Sequence, residues 1–183
     1  MQHTIIALVE NKPGVLNRVA SLFRRRNFNI ESLNVGRTEN PLISRMTIVM
    51  DSEALDARKV EAHLYKLVNV IDVQELTNQP CVTRDLALIK VKARPEQRAE
   101  IANLASIFRG KIVDVAPDSV IVEITGTEDK IESLLELLKP VGVLEMVRSG
   151  QVAMIRGDEL GVRHIPGGNG HKAIQVINEM ANP

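Results

Sequence analysis

The chain has 183 residues, 44% of them apolar and only 2% aromatic, and its 23 basic side chains balance 23 acidic ones. With no formal net charge, no long-range field draws it toward nucleic acid or an anionic membrane, while the aliphatic content suffices for one large core or two small ones. A single cysteine, Cys81, excludes an internal disulfide framework; no basic-then-apolar leader opens the sequence, and no apolar run approaches the roughly 18 residues of a membrane span, so the expected setting is cytoplasmic.

Thr4 to Val9 reads as a buried strand. It runs into Asn11, Pro13 and Gly14, after which apolar residues recur at helical spacing: Val15, Leu16, Val19, Ala20, Leu22 and Phe23. Strand, tight turn and helix follow. Asn11 is placed to accept a hydrogen bond from the free amides of the first turn, and Pro13 sacrifices only an N–H that would be orphaned there. Gly14 leaves the backbone bare, so a small carboxylate could dock on the helix start. Taken alone these residues fit ordinary capping and turn chemistry better than ligand binding, and only their context favours the ligand reading.

Phe28 to Thr38 predicts a second strand with Asn29 near its start, and Ile43 to Met50 a third after the Glu39-Asn40-Pro41 turn. Asp51-Ser52 can cap a helix with Leu55, Val60, Leu64, Leu67 and Val68 on its apolar face, and Val70 to Leu76 closes the unit as a fourth strand. The order is βαββαβ. It then repeats. Leu86 to Ala93 is a strand, Pro95 opens a helix with Ile101, Leu104, Ala105, Ile107 and Phe108 inward, and Lys111 to Val115 with Val120 to Thr125 make a hairpin about Pro117-Asp118. Thr127-Glu128-Asp129 opens a helix carrying Ile131, Leu134, Leu135 and Leu138, and Val141 to Val147 is the last strand of the repeat. Val19-Ala20-Ser21-Leu22-Phe23-Arg24 in one half stands against Leu104-Ala105-Ser106-Ile107-Phe108-Arg109 in the other.

The expected fold is α+β: two tandem ferredoxin-like βαββαβ domains, each a four-stranded antiparallel sheet with both helices on one face and the other face open. The expected boundaries are 1–78, a linker at 79–83, a second domain at 84–157, and a tail at 158–183. Open faces and edge strands favour association, so pairing of two first domains edge to edge would place the helix start and Asn29 near a shared boundary. The second half has Arg94-Pro95-Glu96-Gln97 where the first has Asn11-Lys12-Pro13-Gly14. Glu96 would repel a ligand carboxylate, which points that half to assembly or coupling.

Other chemistry is sparse. His3, His63, His164 and His171 show no metal-ligand spacing with Cys81, and a structural or solvated role suits them. Cys81 has no histidine at a nucleophile's spacing, and carboxylate pairs such as Glu10 with Glu31 or Asp114 with Asp118 fit turns and strand ends. Arg24-Arg25-Arg26 opposes the dipole at the end of the first helix, with partner docking as the minority reading. The glycines at 166–170 lack the Walker spacing and read as linker, with a short helix from Lys172 to Met180 beyond them. An RNA-recognition module shares the βαββαβ order but needs aromatics on central strands; Phe23, Phe28, Tyr65 and Phe108 do not supply them.

Glu10-Asn11-Lys12-Pro13-Gly14-Val15-Leu16, Leu22-Phe23, Phe28-Asn29-Ile30-Glu31-Ser32-Leu33 and Ser44-Arg45-Met46-Thr47-Ile48-Val49 resemble the ACT domain of the regulatory small subunit of acetolactate (acetohydroxyacid) synthase. Arg84-Asp85-Leu86-Ala87-Leu88-Ile89-Lys90-Val91 and Arg148-Ser149-Gly150 are similar to the second half of that family, so the likeness spans about Met1 to Gly157. The resemblance implies a non-catalytic subunit that binds and activates a catalytic subunit and confers feedback inhibition by a branched-chain amino acid, usually valine. Thiamine diphosphate, magnesium and FAD would belong to the partner, with no cofactor on this chain. It implies an effector site between two ACT domains of a homodimer, formed by Asn11, Gly14, Val15, Leu16, Asn29 and Ile30. Two alternatives differ in class: a free-standing amino-acid-sensing regulator of another protein, and an enzyme whose second half is catalytic. Arg84 to Gly150 carries no catalytic cluster that would support the latter.

Overall fold

A computed structural model describes residues 2–51 and 54–157. Ser52, the expected helix cap, and the side chain of Leu55 lie outside the described residues, as do His164, His171 and the tail elements expected at 166–170 and from Lys172 to Met180. The first repeat runs β1 (Gln2–Glu10), α1 (Val15–Arg25), β2 (Ser32–Arg37), β3 (Ile43–Asp51), α2 (Ala54–Leu64) and β4 (Val70–Glu75). The second runs β5 (Cys81–Lys92), a short 3-10 turn (Pro95–Gln97), α3 (Arg98–Ile107), β6 (Lys111–Val115), β7 (Ser119–Gly126), α4 (Glu128–Leu138) and β8 (Val143–Arg148), followed by β9 (Val152–Ile155).

Each repeat forms an antiparallel sheet, ordered β2-β3-β1-β4 in the first and β6-β7-β5-β8 in the second, with β9 also pairing β5. This is the ferredoxin-like order that two interleaved βαβ crossovers dictate. Period-two alternation puts Ile5, Ala7 and Val9 of β1 and Met46, Ile48 and Met50 of β3 on the helix-facing side, against Val15, Val19, Leu22 and Phe23 of α1 and Val60 and Leu64 of α2. The second core repeats the plan with Ala87, Ile89, Val91, Ile101, Ala105, Val122, Ile124, Ile131, Leu134 and Leu138.

Several expected core positions lie elsewhere. Leu16 and Ala20 face out because α1 opens at Val15, which puts the inward stripe on Val15, Val19, Leu22 and Phe23. Val68 is exposed because α2 ends at Leu64, and Ile107, the last residue of α3, is exposed as well. Asn29 and Ile30 precede β2, which begins at Ser32.

The chain divides into two compact units, residues 2–82 with 153–157, and Thr83–Val152. The stretch read as a linker at 79–83 is, from Cys81 onward, part of β5. Residues 153–157, expected with the second domain, group with the first unit. There Ala153 packs with Ile6 and Leu76 on the side of the first sheet away from its helices, flanked by Cys81 and Ile155, and the Arg45 guanidinium donates to the Ala153 carbonyl at 2.8 Å. The face expected to stand open is therefore partly closed by the chain's own β9. Nothing in the alternation of β1 distinguishes an apolar residue covered by helices from one covered by a returning strand.

Candidate functional site

The first βα corner is built from backbone bonds. The Glu10 amide donates to the Asn69 carbonyl at 2.9 Å, the Asn11 amide to the Leu42 carbonyl at 2.7 Å, and the Lys12 amide to the Glu10 carbonyl at 2.9 Å. Gly14 then takes φ +81° and ψ −7°, the left-handed conformation, and stands as the N-cap of α1 with no side-chain cap bond. A residue with a Cβ disfavours that conformation, which gives Gly14 a backbone reason to be glycine. The space beside it is open, since a Cβ built at Gly14 would meet nothing within 4 Å. The first amide to close a helical turn is that of Arg18, onto the Gly14 carbonyl at 3.1 Å. The amides of Leu16 and Asn17 meet no acceptor among the described residues, so the positive end of the helix opens beside an uncrowded glycine.

Asn11 does not cap the helix. It lies three residues before the N-cap, and its side-chain nitrogen donates to the Pro41 carbonyl at 2.8 Å, tying the β1–α1 turn to the turn before β3. Pro13, too, precedes the cap and lies outside the first helical turn. Val15 is buried in the core and positions the helix, whereas Leu16 is 44% exposed at its first turn. Around the corner the Lys12 ammonium pairs with Glu10 at 3.2 Å, Asn69 donates to Glu10 at 2.5 Å, and Arg18 donates to Asn69 at 2.7 Å. Sequence reading missed Arg18, Asn69 and Pro41. Arg18 alone carried a local signal, standing one turn after Gly14; the others come from loops more than 25 residues away and are recruited by sheet register.

Asn29 and Ile30 are not brought to this corner within one chain. The Asn11 amide reaches Leu42, before the start of β3, while the Glu31 amide bonds the Val49 carbonyl at 2.9 Å near its far end. Those acceptors are separated by seven residues of strand, about 23 Å at ~3.3 Å per residue. Asn29 is exposed and donates to the Glu31 carboxylate, and Ile30 is half-buried against the first core.

The corresponding corner of the second unit is closed by its own side chain. Gln97 Oε1 accepts from the Arg94 amide at 3.3 Å, and Glu96 occupies the first turn. Among the described residues no three His, Cys, Asp or Glu side chains stand together as metal ligands, and no helix is long and apolar enough to cross a membrane. His3 is buried, with Nδ1 3.2 Å from Thr77 Oγ1 and 3.4 Å from Glu75 Oε1, and Cys81 is a half-buried free thiol.

The chain matches the family model of the AHAS small subunit-like ACT domain over residues 5–72 and that of the small subunit of acetolactate synthase over residues 84–157. A protein of Archaeoglobus fulgidus assigned as an acetolactate synthase small subunit is 53% identical over 159 residues, covering 87% of this chain and 99% of that one. The chain belongs to the acetolactate synthase small-subunit family. The Mycobacterium bovis small subunit is 48% identical over 85% of this chain and 92% of its own length. The crystal structure of the Thermotoga maritima small subunit superposes with a TM-score of 0.80 at 42% identity, covering 86% of this chain and 99% of that one. The ACT match contains the Gly14 corner, and the second match begins at Arg84, the first residue of the second segment that carried the resemblance.

Proposed function

We propose that this chain is the non-catalytic, regulatory subunit of an acetolactate synthase: it binds the catalytic chain, raises its activity and lets a branched-chain amino acid, valine foremost, inhibit it. Thiamine diphosphate, magnesium and FAD belong, in this reading, to the catalytic chain. The observation that carries the effector site is the Gly14 corner, where left-handed backbone, empty space and two unpaired amides coincide at a helix N-terminus. The effector carboxylate meets the amides of Leu16 and Asn17, its ammonium meets side-chain oxygens of Asn11 and Asn29, and its isopropyl group lies against Leu16 and Ile30.

Asn29 and Ile30 sit too far from Gly14 in one protomer to share a small ligand with it, so a second copy supplies them. β2 is an outer strand of the first sheet, which leaves one of its edges for a second copy to pair with. Burying a valine side chain is worth about 1.5–3 kcal/mol and the helix-end contact up to ~2 kcal/mol. With the remaining hydrogen bonds this supports a micromolar-to-millimolar sensor. Inhibition then requires the effector to favour one state of the assembly by about 1–3 kcal/mol.

The test mixes the chain with an acetolactate synthase catalytic chain and measures acetolactate formation with and without valine. Activation that valine reverses is expected. Acetolactate synthesis by this chain alone, or a mixture indifferent to both its presence and valine, refutes the reading.

A further inference from the structure

The dipole of α1 does not exhaust the Arg24-Arg25-Arg26 run. In the first unit a cleft of about 350 Å³ is lined by Leu22, Arg25, Arg26, His63, Lys66 and Leu67. Two leucines supply its apolar surface, Arg25, Arg26 and Lys66 at the ends of α1 and α2 supply its charge beside the His63 imidazole, and no carboxylate is among the residues that line it. The Arg25 Nε turns back onto the Ser21 carbonyl at 3.2 Å, while Arg26 and Lys66 have no acidic partner among the described residues. Among the described residues, other cations do find carboxylates: Lys12 pairs with Glu10, Lys139 with Glu136 and Arg148 with Glu132. His63 registers the imbalance: partial burial first, and then the charges of Arg26 and Lys66, hold its imidazole below the ordinary histidine pKa. Repulsion of this kind is relieved by an anion.

We propose that this cleft docks an acidic segment of the catalytic chain, with carboxylates toward Arg25, Arg26 and Lys66 and an apolar side chain against Leu22 and Leu67. The proposal rests on the regulatory-subunit reading above. Long cationic side chains from two helices beside an apolar floor match the spaced carboxylates and intervening side chains of a peptide. A small phosphate would instead need donors converging on one point. Rim charges of this type act chiefly on encounter and selectivity, so association and its salt dependence are the sensitive readouts.

The experiment uses the full chain and the catalytic chain, with affinity measured by biolayer interferometry at about 50 mM and about 300 mM KCl. For the double variant Arg26→Glu/Lys66→Glu, about tenfold weaker association at low salt and a flattened salt dependence are expected, with valine calorimetry unchanged. Wild-type affinity in that variant overturns the proposal. A wild-type chain that does not bind the catalytic chain at all overturns the regulatory reading itself, and the docking proposal with it. A second measurement needs no variant: acetylation of Lys66, followed by mass spectrometry, is expected to slow about fivefold or more in the complex. Equal reactivity in free and bound chain refutes the docking site, as does protection by inorganic pyrophosphate without protection by the catalytic chain.

Discussion

Replacing Gly14 by aspartate, with Gly14→Ala beside it, separates backbone strain from charge at the head of α1. At φ +81° any side chain costs about 1–2 kcal/mol of backbone strain. No steric cost is added, because a Cβ there meets nothing within 4 Å. A loss of that size lowers the melting temperature of the first unit by about 4–8 °C per kcal/mol. The carboxylate has a second effect. It sits beside the unpaired amides of Leu16 and Asn17, where the effector's own carboxylate contact is worth up to ~2 kcal/mol, so valine binding should weaken about 30-fold. Gly14→Ala carries the strain without the charge and should keep valine affinity within about threefold. Titration calorimetry with valine and scanning calorimetry on the two variants decide the matter. Wild-type valine affinity in Gly14→Asp refutes the site; equal losses in both variants refute the electrostatic argument and leave backbone geometry as the cause.

Asn29→His removes the amide oxygen proposed to meet the effector's ammonium and disturbs the amide that donates to Glu31, and should raise the valine concentration for half-inhibition by about fivefold, one hydrogen bond's worth; an unchanged inhibition curve counts against it. Tyr65→Phe deletes a hydroxyl whose single proton lies between two acceptors, Asp72 at 2.8 Å and the Val73 carbonyl at 2.9 Å, and which accepts from the Val73 amide at 3.1 Å; a loss of about 1–3 kcal/mol in denaturant melts is expected, and unaltered stability would mean that water substitutes there. Burial first, then the hydrogen bond and charge of nearby Asp72, raise the Tyr65 pKa above its ordinary value of 10.0. The folded state thus holds that proton more tightly than the unfolded chain, its contribution is complete below about pH 10, and stability should fall as pH rises beyond it. Stability curves recorded against pH should lose that alkaline slope in Tyr65→Phe; an equal slope in both proteins refutes the assignment. Arg45→Met cuts the 2.8 Å bond to the Ala153 carbonyl, and hydrogen exchange should speed up at the amides of β9 while those of β1 stay protected; uniform exchange in variant and wild type would show that Ala153 is held by packing alone.

Much of this protein was determined locally. Period-two alternation in β1 and β3, helical spacing from Val15 to Phe23 and from Ile131 to Leu138, and turn residues between them specify the βαββαβ order twice, because strand and helix repeats differ and each needs one buried face. The glycine-headed helix start at Gly14 was legible for the same reason, being made within five residues of chain. What the sequence could not settle are choices made by distant partners. Asn11 bonds Pro41 instead of capping α1, because β3 register delivers the Pro41 carbonyl to it. Ile6 and Leu76 meet Ala153, more than 70 residues on, which no alternation pattern encodes. Most consequentially, Asn29 and Gly14 lie at opposite ends of β3. Local patterns report which face of a segment is apolar, but only the folded chain decides what comes to lie against it.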